Sequence, residues 1–115
     1  MTASNDERFR HGIAHFNRKE FYDAHEVWED VWRDSSGAEK KFLQGLIQVA
    51  VAFHHRSTGN LVGARSLLMR ARRNIEANQH ASPQIAVPEL LVSLSRCQTA
   101  LVDGSTELPF PELGF

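Results

Sequence analysis

The sequence predicts an all-α fold: a compact five-helix array of two stacked helical hairpins with tetratricopeptide-like packing, a closing helix, and an extended Pro-rich C-terminal tail. Three observations predict it. Apolar residues recur at i, i+3, i+4 and i+7 through five segments. Clusters of Gly, Asn, Ser or Pro separate most of those segments. Two segments also share one pattern, in which Phe21, Ala24, Trp28 and Val31 are matched by Leu61, Ala64, Leu68 and Ala71, each 40 positions on. The small residue in each set lets the preceding helix pack close, as in the second helix of a tetratricopeptide-like hairpin. A turn residue there precedes the large residue by two, and Lys19 and Gly59 fill that slot.

Each element has its own signal. Ser4 or Asn5 can cap a first helix, with Asp6 and Glu7 favourable in its first turn. Phe9, Ile13 and Phe16 form its apolar stripe, and Gly12 permits close approach of a neighbour. Asn17-Arg18-Lys19 is the turn. The second helix runs from about Glu20 to Arg33, with Phe21, Ala24, Trp28 and Trp32 on one stripe and Asp23, Glu26, Asp30 and Arg33 pointing away. Asp34-Ser35-Ser36-Gly37 is a loop. The third helix runs from about Ala38 to Ser57, and its middle, Phe42 to Phe53, is apolar almost all round, which predicts a helix surrounded by others. Gly59-Asn60 breaks the chain. A fourth helix follows to about Ala77, with Leu61, Ala64, Leu68, Ala71 and Ile75 inward. Residues 78–87 form a loop with Pro83. Pro88 suits the first turn of a fifth helix, which carries Leu91, Leu94, Cys97 and Leu101 inward and ends at Asp103-Gly104. Residues 1–104 are thus expected to be one helical domain, and residues 105–115 an extended tail that its prolines keep out of helix.

Composition bounds the function. With 115 residues, 42% of them hydrophobic, and a net charge of −1, the chain is long enough for one core and has no general pull toward nucleic acid or membrane. Cys97 stands alone, so no internal disulfide is possible. The polar, acidic start is unlike a signal peptide, and the charge-free run from Phe42 to Phe53 is too short to span a bilayer. These features predict a cytoplasmic protein without a membrane partner. The local charge is uneven: Glu20, Asp23, Glu26, Glu29, Asp30 and Asp34 cluster in residues 20–34, whereas Arg56, Arg65, Arg70, Arg72 and Arg73 share residues 56–73 with no acid. Two oppositely charged helices packed together would account for this. The rival reading is an anion or nucleic-acid face made by Arg65, Arg70, Arg72 and Arg73, which the lack of interleaved exposed aromatics disfavours.

The candidate chemistry centres on the second helix. His25 falls inside its apolar sector, and Glu29 lies one turn on at the edge. On the third helix Gln44, Gln48 and His55 share one side. Buried glutamines need amide partners, because each one left unpaired costs ~1–3 kcal/mol. An antiparallel pairing of the two helices brings His25 and Glu29 to face Gln44, Gln48 and His55, with Trp28 and Trp32 beside them. One reading is a satisfied polar seam or pocket wall in a module that binds a protein or small molecule. The other is a hydrolytic metalloenzyme, with His25, Glu29 and His55 as ligands of a divalent metal and Glu26 as base. His25-Glu26-Val27-Trp28-Glu29 lacks the second histidine of the H-E-x-x-H zinc signature. His54 is expected at a border, His11, His15 and His80 at the surface, and Cys97 in the core. The sequence is compatible with an oligomer.

Three stretches together, residues 21–33, residues 42–50, and His55 with Gly59-Asn60-Leu61-Val62-Gly63-Ala64, resemble the prokaryotic domain-of-unknown-function family numbered 309. The resemblance covers about residues 9–78. It implies a compact all-helical domain and no particular activity. It also implies that Ala24, His25, Glu26, Trp28, Glu29, Trp32, Gln44, Gln48, His55, Gly59 and Asn60 are positions at which members look alike.

Overall fold

The computed structural model describes residues 3–81 and 85–102, with side-chain surroundings for 7–81 and 85–101. Five helices follow in order: α1 (Ala3–Asn17), α2 (Phe21–Arg33), α3 (Gly37–Ser57), α4 (Leu61–Ala77) and α5 (Val87–Val102). There is no strand among the described residues. Each helix packs chiefly on the next, so α3 is flanked by α2 and α4, while α1 covers α2 and α5 covers α4. This zigzag gives an elongated body of 41 × 25 × 21 Å. None of the helices is long and apolar enough to cross a membrane among the described residues. The expected end of the fifth helix at Asp103-Gly104, the domain boundary at 104 and the tail from 105 lie outside the described residues, as does Pro83.

The core is one cluster threaded through all five helices. Phe9 and Phe16 of α1 pack on Trp28 of α2, which is fully buried, and Ile13 is buried in the same core. Phe16 packs edge-on against both Phe21 and Phe53, at ring distances of 5.2 and 6.1 Å. Burying Trp28 leaves its indole N–H in need of an acceptor, and the Phe9 carbonyl accepts it at 3.1 Å. This bond is possible because Gly12 has no side chain, since a Cβ there would lie 2.1 Å from Trp28 Nε1. Gly45 plays the same part between α3 and α4, where a Cβ would meet Ile75 Cγ1 at 2.7 Å and the Ala71 carbonyl at 3.1 Å.

The 40-residue echo is carried by the corners as well as by the helices. At the α1–α2 corner, Lys19 N donates to the Phe16 carbonyl and Glu20 N to the His15 carbonyl, both at 2.9 Å. At the α3–α4 corner, Gly59 N donates to the Arg56 carbonyl at 3.1 Å and Asn60 N to the His55 carbonyl at 2.8 Å. Both are Schellman ends, closed by a left-handed residue. Lys19 has φ 65° and Gly59 φ 87°. The next residue then starts the following helix. Asn60 caps α4 by accepting from Gly63 N at 3.0 Å, whereas Glu20 makes no side-chain cap. The two hairpins are therefore built on one plan.

Three expectations change. Helix α1 starts at Ala3, so Ser4 and Asn5 fall within its first turn rather than before it. Leu61 is 40% exposed while its counterpart Phe21 is buried, because α1 covers Phe21 and no described helix occupies the matching place over Leu61. The acids of α2 and the arginines of α4 do not neutralise one another. α3 lies between those helices, and no ion pair joins them among the described residues.

Candidate functional site

The sequence-predicted polar residues meet along the α2–α3 seam, though not all of them. His25 is mostly buried, and its Nε2 lies 2.9 Å from Glu29 Oε1. A carboxylate oxygen only accepts, so Nε2 carries the proton in this pair. That leaves Nδ1 of His25 as a buried atom with no hydrogen-bond partner. Beyond Glu29 is a depression of about 310 Å³ lined by Glu29, Trp32 and Arg33 from α2 and by Gln44, Ile47 and Gln48 from α3. Gln44 is exposed, and Gln48 is half-buried. Gln48 Oε1 accepts from Asn74 Nδ2 of α4 at 2.9 Å, so the polar group expected opposite the glutamines comes from the fourth helix. Trp32 is half-buried, with Lys40 Nζ 4.1 Å from its ring centroid and its own Nε1 buried without a partner. Ionic Arg33 pairs with Asp30 at 2.6 Å and reaches Glu29 at 4.0 Å.

A second, smaller depression of about 100 Å³ continues the seam toward the other end of α2, lined by Phe21, Tyr22, His25, Val51 and His54. Tyr22 is exposed, and its ring sits between the imidazoles of His25 and His54, at 5.5 and 5.6 Å. His54 thus belongs to the seam, while its neighbour His55 turns the other way. Asn60 Oδ1 is committed to the Gly63 N–H, which leaves its Nδ2 to donate toward His55 Nδ1 at 3.4 Å. His55 belongs to the α3–α4 corner.

The metal set expected from the sequence is His25, Glu29 and His55. The ligand atoms of His25, Glu29 and His55 do not come together, because consecutive residues on α3 project about 100° apart and the corner claims His55. Among the described residues, the group whose ligand atoms all lie within 4.8 Å of one another is His15, Glu20 and Asp23 at the α1–α2 corner. His15 Nδ1 is there bonded to Glu20 Oε1 at 3.1 Å, and Arg18 stands 3.7 Å from the same oxygen. Glu26, the candidate base, is exposed on the outer side of α2 and lines neither depression. Trp28 is core and takes no part in the seam. Cys97 is buried as expected. His11 and His80 are exposed, and His15 is half-buried.

The family model described as "Domain of unknown function (DUF309)" matches residues 9–67. The chain belongs to this family. The DUF309 match takes in both Schellman corners and every residue that lines the two α2–α3 depressions, while Asn74, the partner of Gln48, lies beyond it. The uncharacterized protein YpuF of Bacillus subtilis (strain 168) is 31% identical over 64 residues, covering 55% of this chain and 37% of that protein. The chain therefore spans well under half the length of that relative.

Ile47, Arg33 and Asn74 are seam residues that the sequence argument missed. Gln44, Ile47, Gln48 and Val51 stand at i, i+3, i+4 and i+7, and that stripe was the available signal for Ile47. Asn74 had no comparable signal, since its role depends on how α4 lies against α3.

Proposed function

We propose that this domain is a binding module whose α2–α3 depression holds a short peptide segment of a partner protein. The observation that supports the reading is the composition of that depression. Its apolar walls are Trp32 and Ile47, and the amides of Gln44 and Gln48 and the charges of Glu29 and Arg33 surround them. A carboxamide offers a donor and an acceptor side by side, which matches the repeating N–H and C=O of an extended backbone. Gln44 is exposed and available for this. Trp32 and Ile47 would take one apolar side chain, and the volume of about 310 Å³ suits a side chain with its flanking peptide units. The long cationic stem of Lys40 over Trp32 can swing aside at small cost, uncovering the indole.

The test uses a displayed library of random heptapeptides selected on the whole protein, followed by calorimetric titration of the enriched sequences. The reading expects a shared apolar residue among them and at least a tenfold loss of affinity in Ile47→Arg, with unchanged helical circular dichroism. Failure of any sequence to enrich, or equal binding to Ile47→Arg, would overturn it.

A further inference from the structure

α2 and α4 carry equal and opposite net charge, only part of which is engaged within the molecule, through the Asp30–Arg33 and Glu29–His25 pairs on α2 and the Arg72–Gln98 bond on α4. On α2, Asp23, Glu26, Glu29 and Asp30 against Arg33 leave −3. On α4, Arg65, Arg70, Arg72 and Arg73 against Glu76 leave +3. The acids at 23, 26 and 30 point directly away from the buried stripe of Phe21, Ala24, Trp28 and Val31. Opposite the buried Ala64, Leu68, Ala71 and Ile75 of α4 stand Val62, Met69 and Arg73, with Arg70 beside them. Val62 is 71% exposed and Met69 46%, and the sulfur of Met69 accepts from Arg73 Nη2 at 3.7 Å. Arg65 and Arg70 have no hydrogen-bond or ion-pair partner among the described residues.

Two separate features make this more than a solvated charge run. One is the placement of exposed Val62 and Met69 inside the basic face, which puts methionine and arginine, two residue types enriched at protein interfaces, side by side. The other is that the complementary ridge is on the same chain. α2 and α4 each pack on α3 and each reach Gln48, so the acidic and basic helices lie on either side of α3 in one body. We infer that the basic face of α4 docks on the acidic face of α2 in a second copy of this chain. A two-fold axis would make the contact twice, each copy giving its acids to the other's arginines and closing the pair. Charge steering sets the register, and burial of Val62 and Met69 supplies the apolar part of the contact.

Sedimentation of the full chain decides it. At about 0.1 M salt the protein sediments as a dimer, and at about 1 M, where charges are screened beyond about 3 Å, its dissociation constant rises at least tenfold. The double reversals Arg70→Glu/Arg73→Glu and Glu26→Arg/Asp30→Arg are each monomeric at about 0.1 M salt, with helical circular dichroism unchanged because all four side chains are exposed. An equimolar mixture of the two variants restores the dimer. Wild-type protein that stays monomeric at low salt overturns the inference. So does a dimer indifferent to either reversal, or a mixture that stays monomeric. Retention on a single-stranded oligonucleotide that is lost in Arg70→Glu/Arg73→Glu, with no self-association, would reassign the face to nucleic acid. These outcomes are read without any peptide, so they stand or fall apart from the α2–α3 depression.

Discussion

Lys19 and Gly59 occupy the same left-handed step of two equivalent helix corners, 40 positions apart, at φ 65° and 87°. Glycine takes that conformation freely, and lysine does so against a clash of its Cβ with the neighbouring carbonyl. One corner is therefore relaxed and its twin is strained.

Replacing Lys19 with glycine relieves the strain. Lys19→Gly is expected to stabilise the fold by about 1 kcal/mol, raising the melting midpoint by about 4–8 °C in a domain of this size. Gly59→Ala should do the reverse, lowering stability by about 1–2 kcal/mol. Thermal melts of the two variants followed by circular dichroism check both signs, and a neutral Lys19→Gly would mean that the lysine side chain compensates in the folded state.

The contact between Gly12 and Trp28 makes a sharper prediction. Any Cβ at position 12 lands on the indole that fills the centre of the α1–α2 hairpin. Gly12→Ala removes a weak helix former yet should destabilise by ~1–3 kcal/mol, because overpacking displaces Trp28 and strains its bond to the Phe9 carbonyl. Urea titration measures the loss, and a stabilised Gly12→Ala would show that intrinsic helix propensity outweighs this contact.

The bond between Gln48 and Asn74 should tie α4 to α3 beyond their apolar packing. Either Gln48→Leu or Asn74→Leu leaves the other amide half-buried with one bond missing, at a cost of ~1 kcal/mol. The double variant leaves no orphan and should recover most of that loss. A double-mutant cycle with strictly additive effects would indicate that the two amides act independently.

Cys97 gives a pH dependence with a defined sign. Burial pushes its thiol up from 9.0 to about 11, outweighing the opposite pull of the Arg56 guanidinium. In that interval the folded protein keeps a proton that the unfolded chain has released. The contribution of Cys97 is thus whole below about pH 9 and is lost as the pH climbs to about 11. Urea midpoints should fall with a smaller slope over this range in Cys97→Ala. The same burial predicts slow alkylation of the native thiol at neutral pH and fast alkylation once the protein is unfolded.

The five helices, most of their inward stripes and the two equivalent corners were legible because each depends on residues close in sequence, although Leu61 is exposed and Leu90 rather than Leu91 is buried on α5. The stripe of Phe21, Ala24, Trp28 and Val31 follows from helical periodicity, and the turn role of Lys19 follows from its register with Gly59. The inward setting of His25 and its pairing with Glu29 were legible for the same reason, being one turn apart on one helix. His55 was misplaced because a helical wheel resolves the side of a helix but says nothing of what a corner does to its last turn. The bond from Asn60 decides that position, and His54 is left facing Tyr22 in its place.

Local periodicity and turn chemistry determined, from the chain alone, which segments are helical and which faces are buried. Tertiary packing decided that α3 stands between the acidic and basic helices, that Asn74 satisfies Gln48, and that His25, Glu29 and His55 do not converge. The reason is that hydrophobic burial is non-directional. It establishes which face turns inward, while the partner each face meets depends on close approaches such as those of Gly12 to Trp28 and Gly45 to Ile75, which exist only once the helices are docked.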